Sequence, residues 1–275
     1  MASTEVALGP RHLAGCLALS KAANWNQNEA DWRLMLGFGR GWGIELEDET
    51  LAASTLVLPY GESVAWIAMV LVLPQHRRKG YASRLLRLAL QDLENRGQTP
   101  ILDATPDGRE VYRQEGFKDS WGFKRFSLST AFAGEGRARP ITDSDWPSIL
   151  DLDRKAFGAN REAVLRSLAQ RVPHAALISD GGFVLAREGR EATQIGPLVA
   201  RDERSARELL AAALRQINAP VYLDLLDSRR ETRMWLEERG FAFQRPFTRM
   251  VHAAGLAIAP GDASLVHCPA GPELG

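Results

Sequence analysis

Only two cysteines, Cys16 and Cys268, occur in this chain of 275 residues. They stand far apart and belong to no paired motif, so neither a disulfide framework nor a zinc site is readable. Reduced thiols in a cytoplasmic protein are the expectation. A surplus of one charge is missing too. Lys+Arg and Asp+Glu both number 34, and a formal net charge of zero argues against a protein that coats nucleic acid. The longest apolar stretch, residues 64–74, is too short to cross a bilayer and suits a buried central strand. The first twelve residues, MASTEVALGPRH, lack the apolar core of a signal peptide. The five histidines, at positions 12, 76, 174, 252 and 267, are scattered, with no pair at ligand spacing, so no metal is expected. No Cys-His or Ser-His pair is readable for a covalent route.

What is present is ordinary globular composition, 45% hydrophobic and 25% charged, with length enough for two domains. Most of the functional information lies in residues 64–86, VAWIAMVLVLPQHRRKGYASRLL. An apolar run ends at Pro74, a basic loop with one glycine covers residues 75–81, and an amphipathic helix begins. A strand, a basic loop and a helix N-terminus together make a site for a diphosphate, because that helix end offers unpaired N–H groups and a partial positive charge. Gly80 would let ligand oxygens approach the backbone without a Cβ in the way. The plainer reading is a solvated basic turn.

The chain also repeats itself. Gly116-Phe117 returns as Gly240-Phe241, an offset of 124 (240 − 116), and the same offset carries Ala82 to Ala206. Ala82, Leu85, Leu86, Ala89, Leu90 and Leu93 follow the apolar spacing of an amphipathic helix. Ala206, Leu209, Leu210, Ala213, Leu214 and Ile217 repeat it. Two copies of one fold are expected, over residues 1–130 and 141–254, with a linker at 131–140 and a tail of little pattern at 255–275. Under the same offset Gly80 becomes Arg204, Arg78 and Lys79 become Asp202 and Glu203, and Tyr112 becomes Leu236. A diphosphate would meet carboxylates and a bulky side chain there, so a single ligand site in the first copy is expected.

Strands are expected at residues 42–46, 52–58, 64–73, 100–103 and 122–128, with helices at 81–96 and 108–115. Residues 10–35 show near-helical spacing. The second copy reads as helices starting at 143 and 161 and strands at 175–179, 182–188 and 193–199. Strands mixed with helices in this order give an α/β sheet with helices on its faces.

The loop Arg77-Arg78-Lys79-Gly80-Tyr81-Ala82, preceded by Val72-Leu73-Pro74 and followed by Tyr112 and Gly116-Phe117, resembles the pyrophosphate loop of the GNAT acetyltransferases. The whole chain is similar to a tandem-GNAT group whose second domain is degenerate, on Asp103-Ala-Thr-Pro106 in the first half and Arg245-Pro246-Phe247 with Arg249-Met250 in the second. The resemblance implies two GNAT-like domains, each a mixed, mostly antiparallel sheet flanked by helices, and acetyl-CoA as acetyl donor. It implies that Val72, Arg77, Arg78, Lys79, Gly80, Tyr81, Ala82 and Ser83 hold the cofactor, the backbone near Val72 pairing with the pantetheine arm like an added strand. It places Tyr112 near the coenzyme A sulfur, where a phenol of pKa about 10 could protonate a departing thiolate of about 8.5. The alternative for Tyr112 is a half-buried packing residue. It further implies that the first helix and the loop after it wall the acceptor pocket, which makes Trp25, Asn26 and Asp31 acceptor-site candidates; their plainer reading is helix packing beside a polar surface run.

A general base is harder to find. Many of these enzymes carry a glutamate on the strand before the loop, but here that strand reads Trp66-Ile-Ala-Met-Val70. Glu62 is poorly placed, and Asp103 has a counterpart, Asp224, in the second copy, which favours a structural role for both. Asp224, Arg249 and the closing Gly271-Pro272-Glu273-Leu274-Gly275 yield no chemistry from sequence. The expectation is an N-acetyltransferase acting by direct attack on a small primary amine, without nucleic acid, membrane or metal, with homo-oligomerisation open. The competing class is a coenzyme A-binding regulator or scaffold that does not catalyse.

Overall fold

The computed structural model describes residues 3–252 and 260–275. The first half runs β1 (Ser3–Ala7), α1 (Leu13–Ala22), α2 (Glu29–Phe38), β2 (Arg40–Leu46), β3 (Leu51–Tyr60), β4 (Val64–Val72), α3 (Tyr81–Asn95), β5 (Thr99–Ala104), α4 (Pro106–Gln114) and β6 (Phe117–Leu128). The second runs β7 (Arg139–Pro140), α5 (Trp146–Phe157), α6 (Glu162–Arg171), β8 (Leu177–Ser179), β9 (Gly182–Arg187), β10 (Thr193–Ala200), α7 (Glu203–Leu214), β11 (Val221–Leu226), α8 (Arg230–Glu237), β12 (Ala242–His252) and β13 (Val266–Cys268). Residues 64–72 form a strand buried on both faces, as an unbroken apolar run requires. The repeated helices α3 and α7 each bury the stripe read from their spacing, Leu85, Leu86, Ala89 and Leu93 in one, Ala206, Leu209, Leu210 and Ala213 in the other. The near-helical stretch 10–35 is two helices rather than one. Asn28 breaks it by capping α2: its Oδ1 accepts from Asp31 N while Asp31 Oδ2 accepts from Asn28 N.

The thirteen strands of the described residues form one sheet in the order β1-β2-β3-β4-β5-β12-β6-β11-β10-β9-β8-β7, with β13 added beside β10. This differs from two self-contained domains. The last long strand of each copy lies in the other's half: β12 inserts beside β5, and β6 pairs with β11. The exchange is fixed by two reciprocal ion pairs. Arg249 on β12 grips Asp103 on β5 through two hydrogen bonds of 2.9 Å, and Arg125 on β6 grips Asp224 on β11 at 2.8 and 2.7 Å. In each pair the two residues lie directly opposite in register. All four side chains are at most 5% exposed. A buried carboxylate needs such a partner, and here the partner comes from the other copy each time. Asp103 and Asp224 are therefore structural, as their recurrence suggested.

The boundary expected at 254/255 lies outside the described residues. The end of the chain is more ordered than its sequence pattern suggested. Residues 266–268 form β13, and residues 269–275 turn back across the first half. Trp66 Nε1 donates to Pro272 O at 3.0 Å and Tyr60 Oη to Leu274 O at 2.9 Å. Arg161 donates to Gly275 O, and Arg187 pairs with Glu273. Leu274 and Glu273 are buried. Among the described residues, no helix is long and apolar enough to cross a membrane.

Candidate active site

The site begins where two strands part. β4 and β5 pair in parallel only from Val64/Thr99 to Trp66/Ile101. Beyond that point β4 carries a bulge: Met69 has φ +54°, and the register with β3 shifts between Ser54 and Leu56. A left-handed methionine in a strand is strained and needs local support. Ser54 Oγ supplies part of it by donating to Met69 O at 2.7 Å. The bulge turns β4 away from β5 and leaves the backbone of residues 70–72 facing an open cleft of about 570 Å³. Val72, Arg77 and Ala82 line it at one end and Tyr112 at the other. The bulge was not foreseen from sequence, because nothing in Ile-Ala-Met-Val marks it.

At the cleft's outer end, Gly80 is the N-cap of α3 with φ +77°, a conformation that a side chain would strain. No side chain caps this helix end, and Arg84 N is the first amide bonded back into the helix, to Gly80 O. The amides of Tyr81, Ala82 and Ser83 thus stand at an uncapped N-terminus. Arg77, Arg78 and Lys79 are exposed around it, with Lys79 Nζ 3.2 Å from His76 Nδ1. This is a cradle for an anion. The side chain of Tyr81 is not part of it: the ring packs against the small apolar cluster of Ile44, Leu46 and Leu85, so only its backbone belongs to the cradle.

The second copy lacks this arrangement for reasons beyond those read from sequence. β10 runs to Ala200 and α7 starts at Glu203, so most of the loop is gone. Measured from the buried stripe, α7 starts two residues earlier than α3, so that Asp202 has the N-cap role that Gly80 has in the first copy. Asp202 caps α7, its Oδ1 accepting from Ser205 N at 2.7 Å, so a carboxylate already sits where the first copy is open. The groove is filled as well. β13 pairs with β10 at Leu198/Cys268 and Val199/Val266. A Cβ on Gly196 would lie 2.1 Å from Pro269 O. The chain's own segment occupies the strand-like position that stays free beside residues 70–72.

The cleft meets a narrow cavity of about 30 Å³ under the bulge. Trp25, Val70, Asp103, Thr105, Tyr112 and Arg245 border both. Tyr112 is half-buried, its ring edge-on to Phe117 at 6.0 Å between centroids, and burial pushes its phenol well above the ordinary value. The group therefore stays protonated at neutral pH. Two further charged residues reach the cavity from the second half. Arg245 on β12 lies opposite Arg125 on β6, but whereas Arg125 holds Asp224, the Nε of Arg245 is buried with no acceptor among the described residues. Glu273 of the closing segment gives one oxygen to Arg187, while its Oε2 is buried with no partner. Arg245 was noted in sequence only as part of a family run, and Glu273 as carrying no chemistry. No local pattern could place either one, since both arrive through tertiary crossings.

Of the three acceptor-site candidates, only Trp25 lines the cavity. Asn26 is buried against the β9–β10 turn: its Nδ2 donates to Ala192 O at 2.9 Å and its Oδ1 accepts from the amides of Glu191 and Ala192. Asp31, fully buried, pairs with Arg171 at 2.6 Å and Arg187 at 2.7 Å. Both residues clamp the first half to the second. Their amide and carboxylate groups are consumed by that contact, and they are corrected to structural roles. Gln27, beside them, takes a place in the cavity wall.

A splayed α/β sheet with a basic loop at a bare helix N-terminus and a protonated tyrosine at the other end of the cleft has the form of an acyltransferase. Comparison with known proteins agrees. Residues 15–117 match the acetyltransferase (GNAT) family and residues 149–261 the acetyltransferase (GNAT) domain. The chain belongs to the GNAT acetyltransferases and carries two such domains in tandem. No curated protein matches it in sequence. Among solved structures it is similar to a putative acetyltransferase from Pyrococcus horikoshii, at 20% identity and a TM-score of 0.83 over 99% of this chain and 96% of that one. A GCN5-related N-acetyltransferase from Sphaerobacter thermophilus aligns at 17% identity and TM-score 0.64 over 94% and 97%. A tandem GNAT protein from the clavulanic acid biosynthesis pathway aligns at 14% and 0.65 over 93% and 100%. At these identities the likeness concerns the fold alone.

Proposed function

We propose that this chain is an acetyl-CoA-dependent N-acetyltransferase that acetylates the primary amine of a small molecule by direct attack in a ternary complex. One observation carries the reading: a single cleft joins an uncapped, cation-ringed helix N-terminus to a protonated tyrosine, along a strand edge left unpaired by the bulge at Met69. The amides of Tyr81, Ala82 and Ser83, with Arg77, suit the diphosphate. The free edge at residues 70–72 suits the pantetheine amides. The thioester supplies an activated acetyl group, and what the chain adds is position and proton control. The neutral amine forms its bond to the acyl carbon as the carbon–sulfur bond breaks, Tyr112 gives its proton to the departing sulfur, and the nitrogen gives one proton back to Tyr112, leaving the amide and the free thiol. The buried free thiols Cys16 and Cys268 suit a reducing, cytoplasmic setting.

Calorimetric titration of acetyl-CoA into the wild type and Gly80→Asp tests this reading. The substitution puts a carboxylate at the helix end, where the second copy has Asp202, and a side chain where φ is +77°. One site per chain in the wild type, weakened at least about tenfold by a carboxylate at the helix end, is expected. No binding to folded wild type would overturn the proposal. The competing non-catalytic reading predicts the same binding but no release of coenzyme A with any amine, and no effect of Tyr112→Phe on thiol release.

A further inference from the structure

The cavity beside Tyr112 is bordered by two side chains of opposite sign, each with a buried polar atom that has no hydrogen-bond partner. Glu273 Oε2 is buried without a hydrogen-bond donor, and its other oxygen is held by Arg187, itself anchored on Asp31. Arg245 stands where the cavity opens into the cleft, its Nε buried without an acceptor and its Cζ over the ring of Phe247, 5.3 Å from the centroid. A buried polar atom without a partner costs free energy in the free protein, and a ligand that supplies the partner recovers it. The rest of the wall is largely apolar, formed by Trp25, Ile67, Met69, Leu102 and Phe247. At about 30 Å³ the cavity has room for a group the size of an ammonium and little more, so the body of an acceptor must lie at its mouth, beside Arg245.

We infer that the acceptor is a small amine that also carries an anionic group, a carboxylate or phosphate, with its nitrogen received by Glu273 and its anion by Arg245. This rests on the acetyltransferase reading and narrows its substrate class. It also gives the closing segment a catalytic purpose, since Glu273 is the carboxylate that the strand 64–72 lacks. The amine arrives as an ammonium. Its proton passes to Glu273 Oε2, and the freed lone pair forms the bond to the acyl carbon. The carbon–sulfur bond breaks, the sulfur takes the Tyr112 proton, and the nitrogen returns one proton to Tyr112. Glu273 then releases its proton to water, so the products are the amide, free coenzyme A and one proton. Burial and the like charge of Arg125 lower the affinity of Arg245 for its own proton, so an anion bound beside it would be favoured.

The test measures release of coenzyme A thiol with acetyl-CoA and a matched amine panel. Glycine, β-alanine and O-phosphoethanolamine carry an anion; ethanolamine and putrescine do not. The wild type is expected to use at least one anionic amine with kcat/KM about tenfold or more above both uncharged-tail and dicationic amines. Arg245→Met should erase that preference through KM, with kcat changed little, while Arg245→Lys retains it. Glu273→Gln should lower kcat about a hundredfold on every amine, with acetyl-CoA affinity by calorimetry unchanged. Glu273→Asp provides the check if loss of the Arg187 pair unfolds the glutamine variant: it keeps the charge and should keep measurable turnover. Acetyl-CoA binding together with equal or better use of putrescine or ethanolamine, or with no use of any anionic amine, would overturn the inference and leave the acetyltransferase reading standing. Absence of acetyl-CoA binding would remove both.

Discussion

Tyr112 shows how far a single residue can be judged from sequence and what the fold adds. Its spacing from Gly116-Phe117 and its loss in the second copy pointed to chemistry. The fold adds the environment: a phenol bordering both cleft and cavity, pushed above its usual pKa by burial. Tyr112→Phe keeps the packing against Phe117 and removes only the proton. It is expected to lower kcat about a hundredfold while leaving acetyl-CoA affinity within about twofold, measured by thiol release and calorimetry. A kcat within a factor of a few of wild type would mean that the thiolate leaves unaided. Asn26 and Asp31 show the opposite case. A polar run next to tryptophans looks the same in sequence whether it lines a pocket or clamps an interface, and only the partners Ala192, Arg171 and Arg187 decide. The cysteines allow a plain check of burial. Desolvation pushes the Cys16 thiol up to about 12 and Cys268 higher still. Neither should react with Ellman's reagent at pH 8 in the native protein, and both should react in denaturant. Rapid reaction of either in the native state would contradict the packing described.

Among the elements, helices were legible and the ends of strands were not. The amphipathic stripes of α3 and α7 are set by sequence-local spacing, so they could be read directly. The bulge at Met69, the two-residue connection before α7 and the pairing of β13 with β10 depend on what lies across the sheet. β13 carries its own testable signature. His267 is fully buried on it, and desolvation, aided by the charge of Arg229, lowers its imidazole to about 3. A histidine lowered in the folded state stays neutral there while the unfolded chain takes up a proton below about 6.5. Its contribution to stability is therefore complete above that pH and falls away as the pH drops toward 3. Between pH 7 and pH 5 the wild type should lose about 2 kcal/mol of unfolding free energy from this residue, and His267→Leu should remove that share of the slope. Urea titrations at the two pH values measure it. An unchanged pH slope in the variant would mean that β13 leaves the groove before His267 titrates.

For the whole molecule, the repeat was visible but the way its copies are joined was not. Sequence comparison finds that residues 82–93 resemble 206–217 without saying whose sheet the last strand completes. The answer lies in Asp103–Arg249 and Asp224–Arg125, pairs whose members are 146 and 99 positions apart. Because each half holds the other's central strand, neither has an edge at which it could separate without uncovering a charged residue. Such a molecule should unfold in one transition despite having two domains. Arg249→Met is the sharpest probe. It leaves Asp103 buried without its partner and removes the stacking of the guanidinium on Trp66 and Trp121. A cost of about 3–5 kcal/mol is expected. Arg125→Met should cost about as much from the other end of the sheet. With urea unfolding followed by both tryptophan fluorescence and circular dichroism, the two probes should move together in each variant, since β12 and β6 tie the halves into one cooperative unit. Two separated transitions, with Arg249→Met shifting only one of them, would show that the halves unfold independently and that the exchanged strands do not couple them.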